Sequence, residues 1–547
     1  MQKGTLRRLT ICGKKKQQWL TGLDAMSGGT PDPDAPILDS AGNVRTMLVY
    51  TPASGVIPCS SGILVLREDA EEASAIELLE RTGWAERAER DHYLILLPDP
   101  APTGWNTTSD PDGPDDVDYL TKLLQSGPPQ FMIGCKVHRT SRYLAGFGAK
   151  AASLAAAVAG THGELLAGLF AEGACRIETG KACSGAPVPA WLVGCEPALV
   201  QGFEDAALAG ETVCRSFAQA DRRIYESAWD QLFFGIRRMA TGGFGSLVHK
   251  KTETEMGLIP HLNDRSLDDG TGLAHDWYEA VPSAAEGKLP LLFVLHGGAT
   301  SAKYCAEQTL WHELGQKYGF LVVYPQACVN SVWNPGLDTR LPSDEAYLLT
   351  LYRDLLRRYP IDTARVYCTG FSMGGLMTHV MGMLHPEIFA AIAPFSGLLF
   401  DEYWKGEQDG LPYLLPERLK DRTEPMPLIQ FHGTQDGTWR GGELSRLQDY
   451  WAGRNRVEAP FSEAKPHKTE GKDGRFHVYS GADAAGVPMY VFVSVQGLPH
   501  GVDLRQPYLA WRYLCGFSRL ADGTLVLRGA QAAEQSSGTV LTDWMPD

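Results

Sequence analysis

The sequence contains one pattern twice, and that repetition limits its fold more than any single motif does. SSGILVLRED leads through a helical stretch to HYLILLPDP, and LPLLFVLHGG leads through another to YGFLVVYP. Trp84 falls opposite Trp311, Pro98 opposite Pro325, and Trp105-Asn106 opposite Trp333-Asn334. Asp116 and Tyr119 follow the first Trp-Asn tryptophan by 11 and 14 residues, as Asp344 and Tyr347 follow the second. RYLAGFGAKAA (Arg142–Ala152) then lies opposite VYCTGFSMGGL (Val366–Leu376), and PVPAWLV (Pro187–Val193) opposite PMPLIQF (Pro425–Phe431).

Two copies of one α/β unit are therefore expected. Short apolar runs alternate with helical stretches, which predicts a mostly parallel sheet with helices on both faces. The first copy runs over 1–216 and the second over 242–547. Between them, 217–241 predicts a linker helix, with Ile224, Ala228, Leu232 and Ile236 as its packing stripe. At 547 residues the chain is long enough for two cores.

Acidic residues (65) outnumber Lys and Arg (50), giving a net charge of −15. A chain so acidic lacks the clustered cations that grip phosphate backbones, so no nucleic-acid partner is expected. No apolar region follows the basic N-terminus, and no run approaches the length of a membrane span. The expectation is a cytoplasmic protein with no membrane partner. The eleven cysteines form no C-x-x-C pair and no zinc-spaced Cys/His cluster, which predicts free, mostly buried thiols. Oligomeric state is not legible.

The chemistry concentrates in the second copy. Ser372 stands in a G-x-S-x-G string after a strand and before a helix. A serine at such a turn needs small neighbours, which Gly370, Gly374 and Gly375 supply. The amide of Met373 then opens a helix and can face a developing oxyanion. His296-Gly297-Gly298 ends an earlier strand, where the amide of Gly298, or else of Ala299, would be the second donor. A serine nucleophile needs a base, and the base an orienting carboxylate. Asp436 lies in HGTQD after the strand PMPLIQF, and His500 follows the strand MYVFVSV. Asp503 is a rival acid, too near His500 in sequence to orient its ring easily.

Together HGG, Trp333-Asn334, GFSMGG, HGTQD and the late Gly-x-x-His resemble the polyhydroxybutyrate depolymerase family of esterases, related to the feruloyl and acetylxylan esterases of carbohydrate esterase family 1. The resemblance spans about 289–517. It implies an α/β-hydrolase fold, which the internal repeat extends to the first copy, and cleavage of carboxylic esters through an acyl-enzyme, with no metal or cofactor. Carried over, it makes Ser372 the nucleophile, Asp436 the acid and His500 the base. Met373 and Gly298 become the oxyanion donors, and Trp333, Asn334 and His296 the substrate-binding residues. Hydroxyalkanoate, feruloyl and acetyl esters are all open as substrates.

The first copy lacks these groups. Gly148 stands opposite Ser372, Arg67-Glu68-Asp69 opposite His296-Gly297-Gly298, and Ala198 opposite Asp436. No late strand with a following histidine is expected before the linker. This copy reads as a hydrolase domain that has kept its fold and lost its chemistry. Two rival readings are acyl transfer to a sugar or alcohol, and a non-catalytic binding or scaffold protein.

Overall fold

A computed structural model describes residues 4–14, 31–36, 38–53, 61–106, 113–126, 141–176, 186–209, 212–238, 247–283, 287–298, 300–329, 331–335, 341–408, 411–412, 415–438, 443–457, 466–471 and 474–527. The described residues up to Lys250 form one compact unit, and those from Lys251 onward a second.

The first unit is built on β1 (Thr5–Thr10), β2 (Thr46–Thr51), β3 (Gly62–Leu66), β4 (Leu94–Pro98), β5 (Arg142–Phe147), β6 (Gly168–Glu172), β7 (Ala190–Val193) and β8 (Cys214–Phe217). Across the sheet they stand in the order β1-β2-β4-β3-β5-β6-β7-β8. The pairs β1–β2 and β2–β4 are antiparallel, and every later pair is parallel. The second unit repeats that plan with β9 (Ile259–Asp264), β10 (His275–Ala280), β11 (Leu289–Leu295), β12 (Leu321–Pro325), β13 (Ile361–Phe371), β14 (Ala391–Phe395) and β15 (Leu428–Gly433). It finishes with β16 (Lys468–Glu470), β17 (Phe476–Gly481) and β18 (Tyr490–Val495). The order is β9-β10-β12-β11-β13-β14-β15-β18-β17-β16, so an antiparallel pair extends the far edge. Both sheets thus have the strand order of α/β-hydrolases, two such domains in tandem.

Burial explains why these runs are strands. GILVL, LILLP, LPLLFVL, LVVYP and AIAPF are buried at every position, as expected of parallel strands covered on both faces. Successive residues feed opposite cores. In the first unit Leu64, Leu66, Leu94 and Leu96 join one apolar cluster, and Ile63, Val65, Ile95 and Leu97 the other.

The repeat extends to individual hydrogen bonds. Trp333 donates Nε1–H to the His296 carbonyl, and Trp105 donates to the Arg67 carbonyl. The Asn334 amide donates to Asp344 Oδ2 and the Asn106 amide to Asp116 Oδ2. The Ser372 amide donates to the Phe395 carbonyl and the Gly148 amide to that of Glu172, each at 2.8 Å.

A late strand is present in the first unit, β8 paired in parallel with β7, and as expected no histidine follows it before residue 241. One expectation at the end of this unit needs correction. The stretch expected as a linker helix over 217–241 is neither one helix nor a linker. Phe217 ends β8, Arg222–Ser227 is α-helical, Ala228–Phe233 continues as a π-helical turn, and Ile236–Arg238 is a strand. The remainder to 241 lies outside the described residues. Trp229, Leu232 and Phe233 pack into the same core as Trp84 and Phe170, so this segment belongs to the first unit. Its counterpart is the closing helix of the second unit, Gln506–Leu514, with the strand Phe517–Arg519. Tyr143 Oη donates to the Ile236 carbonyl as Tyr367 Oη does to that of Phe517. Arg238 donates to the carbonyls of Leu166 and Pro187, as Arg519 does to those of Phe389 and Pro425. An apolar four-residue stripe signals a helix, but it does not show which neighbouring body the stripe packs against.

Among the described residues no helix is long and apolar enough to cross a membrane. Cys175, Cys305 and Cys368 are buried free thiols; Cys183 lies outside the described residues.

Candidate active site

The site is assembled where parallel strands of the second unit end. Ser372 follows β13 directly and has φ 56° and ψ −117°, a strained conformation for a residue with a side chain. The turn is held because the elbow leaves no room to relax. A Cβ at Gly374 would lie 2.1 Å from the Leu295 carbonyl oxygen, and one at Gly370 would lie 2.4 Å from that of Gly374. The helix that follows, Met373–Leu384, is buried along its whole length. Its first amide, that of Met373, has no intrahelical acceptor and stands at the positive end of the helix.

Asp436 and His500 follow β15 and β18, which are paired neighbours. Bonds between their loops fix the approach: Gln435 donates its amide to the Leu498 carbonyl, and Gly497 donates to Thr434 Oγ1. A Cβ at Gly433 would lie 2.2 Å from the Leu498 oxygen, so glycine permits this contact. As a result Ser372 Oγ lies 2.8 Å from His500 Nε2, and His500 Nδ1 lies 2.8 Å from Asp436 Oδ2. A carboxylate only accepts, so Nδ1 carries the proton and Nε2 is free to accept from the serine. The Asp436 side chain is fully buried, whereas that of His500 is 22% exposed. Burial acts to raise Asp436, but His500 and the Thr438 amide outweigh it and hold the carboxyl below its ordinary value. The rival Asp503 is engaged elsewhere, by Arg505 and, at 3.4 Å, by Arg475.

Three residues expected to bind substrate face inward instead. Trp333 and Asn334 are buried, and Asn334 Nδ2 donates to the carbonyls of Leu341 and Pro342. His296 is fully buried, and burial lowers it to about 4. Its Nε2 accepts from the Ala327 amide and from Gln326, so its Nδ1–H donates to the Gly297 carbonyl. That bond has a consequence for Gly298. In a trans peptide the N–H points opposite to the C=O, so tying the Gly297 oxygen to the ring turns the Gly298 N–H away from it. His296, Trp333 and Asn334 therefore shape the loop that carries Gly298. Their conspicuous residue types and their place beside the motif suggested contact with a ligand; burial assigns them to positioning. Gln326 and Phe371, which packs its ring 4.8 Å from that of His500, are supporting residues the sequence reading passed over. For Gln326 the available signal was its place directly after the Pro325 that ends β12. Ala299 lies outside the described residues.

The corresponding place in the first unit is plugged. Gly148 has φ 99°, and Glu68 Oε1 accepts the amides of Lys150 and Ala151 at 2.8 and 3.1 Å. A carboxylate thus occupies the helix N-terminus of that unit.

Residues 274–430 match the family model described as esterase PHB depolymerase. This stretch is similar to the PHB depolymerase esterases. The family match includes Gly298, Ser372 and Met373 and ends before Asp436 and His500. Three curated relatives share the region. The bifunctional acetylxylan esterase/xylanase XynS20E of Neocallimastix patriciarum is 33% identical over 177 residues, 32% of this chain and 23% of that protein. Poly(3-hydroxyalkanoate) depolymerase C of Paucimonas lemoignei is 36% identical over 130 residues, 22% of this chain and 30% of its own. Feruloyl esterase B of Talaromyces stipitatus is 29% identical over 128 residues, 22% and 36% of the two chains. The chain therefore spans little more than a third of these relatives at most.

Proposed function

We propose that the second unit is a serine carboxylic ester hydrolase that works through an acyl-enzyme on small or oligomeric esters, with hydroxyalkanoate, feruloyl and acetyl esters as the substrate classes. The observation that carries this reading is the unbroken chain Ser372 Oγ–His500 Nε2 and His500 Nδ1–Asp436 Oδ2, each link 2.8 Å.

Ser372 Oγ attacks the ester carbonyl carbon as His500 Nε2 takes its proton. The carbonyl oxygen, now an oxyanion, is held by the amides of Met373 and Gly298, each such donor worth about 3–4 kcal/mol to the transition state. Collapse breaks the bond to the alkoxy oxygen, which leaves as the alcohol with the proton from His500. Water then attacks acyl-Ser372 with His500 again as base, releasing the carboxylic acid and restoring the serine. Asp436 keeps the imidazole in the tautomer with its proton on Nδ1 and stabilises the imidazolium that forms.

The first unit is proposed to be catalytically silent. Gly148 offers no nucleophile, and Glu68 already holds the amides that an oxyanion would need.

The test is hydrolysis of p-nitrophenyl acetate, methyl ferulate and hydroxybutyrate oligomers by the full chain, with mass spectrometry after treatment with an organophosphonate. Turnover of at least one ester class and a single covalent adduct on Ser372 are expected. An adduct elsewhere, or no turnover of any of the three, would overturn the reading.

A further inference from the structure

A second buried cluster lies in the same unit, away from the serine. Asp269, His275 and Cys328 place a carboxylate oxygen, a ring nitrogen and a thiol sulfur within 4.8 Å of one another. The Asp269 and His275 side chains are 1% and 0% exposed. Asp269 Oδ1 is used, accepting the Thr271 amide and hydroxyl. Oδ2 lies 3.0 Å from His275 Nε2, yet the two are not aligned as a hydrogen bond, and neither atom has another partner. Cys328 Sγ lies 3.8 Å from His275 Nδ1. Asp344, a second buried carboxylate, accepts the Cys328 amide at 2.7 Å.

The first unit shows what such a place requires. Strand pairing sets Met47 opposite Pro98 and Trp277 opposite Pro325, so Arg45 and His275 hold equivalent positions. Asp39 precedes Arg45 by the same interval as Asp269 precedes His275. Arg45 is buried between Asp39 and Asp116, with its guanidinium 4.6 Å above the Tyr119 ring. In the second unit His275 stacks on Tyr347 at 4.1 Å, and Asp269 and Asp344 replace Asp39 and Asp116. Both carboxylates persist, while the permanent cation between them is gone. Buried carboxylates without a cation are costly.

We propose that Asp269, His275 and Cys328 bind a divalent zinc ion, which supplies in the second unit the positive charge that Arg45 supplies in the first. One thiolate, one imidazole and one carboxylate are a ligand set suited to zinc, leaving a fourth position for water. Cys328 Sγ stands beside Nδ1 and Asp269 Oδ2 beside Nε2, so a zinc held by one ring nitrogen requires the His275 ring or one partner to turn, bringing the three donors to bonds of about 2.0–2.3 Å. Cys328 must lose its proton to solvent as the Zn–S bond forms. With the thiolate counted, the zinc leaves this site with the same net charge as its Arg45 counterpart. The ligands come from a turn, from the start of β10 and from the loop after β12, which is why no zinc spacing marks them in the sequence. The inference stands independently of ester hydrolysis.

The test uses the full chain, stripped with chelator and titrated with Co²⁺ and then with Zn²⁺ against a chromophoric competitor. The wild type should bind one Co²⁺ with a thiolate-to-cobalt charge-transfer band. Cys328→Ser should lose the band and weaken zinc binding at least about tenfold. Should that variant fold poorly, His275→Arg is the second arm: it rebuilds the first unit's ion pairs, so it should fold and melt at a temperature that zinc does not raise. A wild type with no charge-transfer band, an undiminished band in folded Cys328→Ser, or equal zinc stabilisation of wild type and His275→Arg would overturn the proposal.

Discussion

Glu68 lies against Gly148 so closely that a Cβ added to the glycine would sit 2.4 Å from Glu68 Cγ and Oε1. Glu68 therefore occupies the space that a side chain at position 148 would need. Restoring the serine alone should not restore chemistry. Gly148→Ser in a Ser372→Ala background should show no hydrolysis of p-nitrophenyl acetate above that background. It should also lower stability by about 1–3 kcal/mol, since φ 99° disfavours any side chain. Measurable turnover would mean that the silence rests on the missing hydroxyl alone.

Ser372 is strained, and the proposed ester hydrolysis rests on it. Ser372→Ala should lower kcat at least about 10³-fold while the fold persists. Ser372→Gly should be equally inactive but more stable than the alanine variant by about 1 kcal/mol, because glycine accepts positive φ. Chemical denaturation of the two variants checks this. Equal stabilities would show that the elbow's strain has been relieved elsewhere.

The two candidate acids separate cleanly by substitution. Asp436→Asn keeps the shape but gives His500 the wrong partner for its Nδ1 proton, and should cost on the order of 10⁴ in kcat. Asp503→Asn loosens bonds to Arg475 and Arg505 only, and should leave kcat within about threefold. Reversed outcomes would reassign the acid.

Much of this was legible from residue order. The doubled strand pattern gave the tandem α/β plan, and one glycine-flanked serine, one acid and one histidine, each following a strand, gave the Ser372–His500–Asp436 chain. The parts that stayed hidden depend on direction and burial. Trp333, Asn334 and His296 sit beside the motif, but their polar atoms point at backbone, which sequence spacing does not encode. The stripe Ala228, Leu232 and Ile236 was rightly apolar, yet its partner is the sheet of the first unit. A one-dimensional pattern gives the face and not the neighbour. Glu68 reads as a surface charge until the amides of Lys150 and Ala151 are seen to meet it.

Trp333 tests the positioning role. Trp333→Phe keeps the ring but leaves the buried His296 carbonyl without its donor, a loss of about 1–3 kcal/mol in stability. If that bond fixes the oxyanion loop, kcat should fall on the order of tenfold. Trp105→Phe breaks the matching bond to Arg67 and should lose similar stability with kcat unchanged. A Trp333→Phe enzyme with full kcat would remove the positioning argument.

The last prediction concerns pH and an ion-pair network around Glu345. This carboxylate meets Arg418 Nη1 at 2.6 Å and His385 Nε2 at 2.6 Å, and its side chain is 8% exposed. Burial acts to raise Glu345, but Arg418 and His385 outweigh it and bring it to about 2, below an ordinary value of 4.5. A depressed carboxyl contributes stability that is complete above the unfolded value and lost as pH falls through the folded one. His385 behaves oppositely. Burial acts to lower it, Glu345 and Glu387 raise it above 6.5, and its contribution is complete below 6.5 and lost as pH rises through the raised value. Stability from this network should therefore peak between about pH 5 and 6 and decline on both sides. Glu345→Gln should cost on the order of 2 kcal/mol there, flatten the decline on the acid side and abolish most of that on the alkaline side. Urea denaturation of wild type and variant from pH 3 to 9 reads this directly. A variant whose stability curve runs parallel to the wild type would show that the network does not couple protonation to folding.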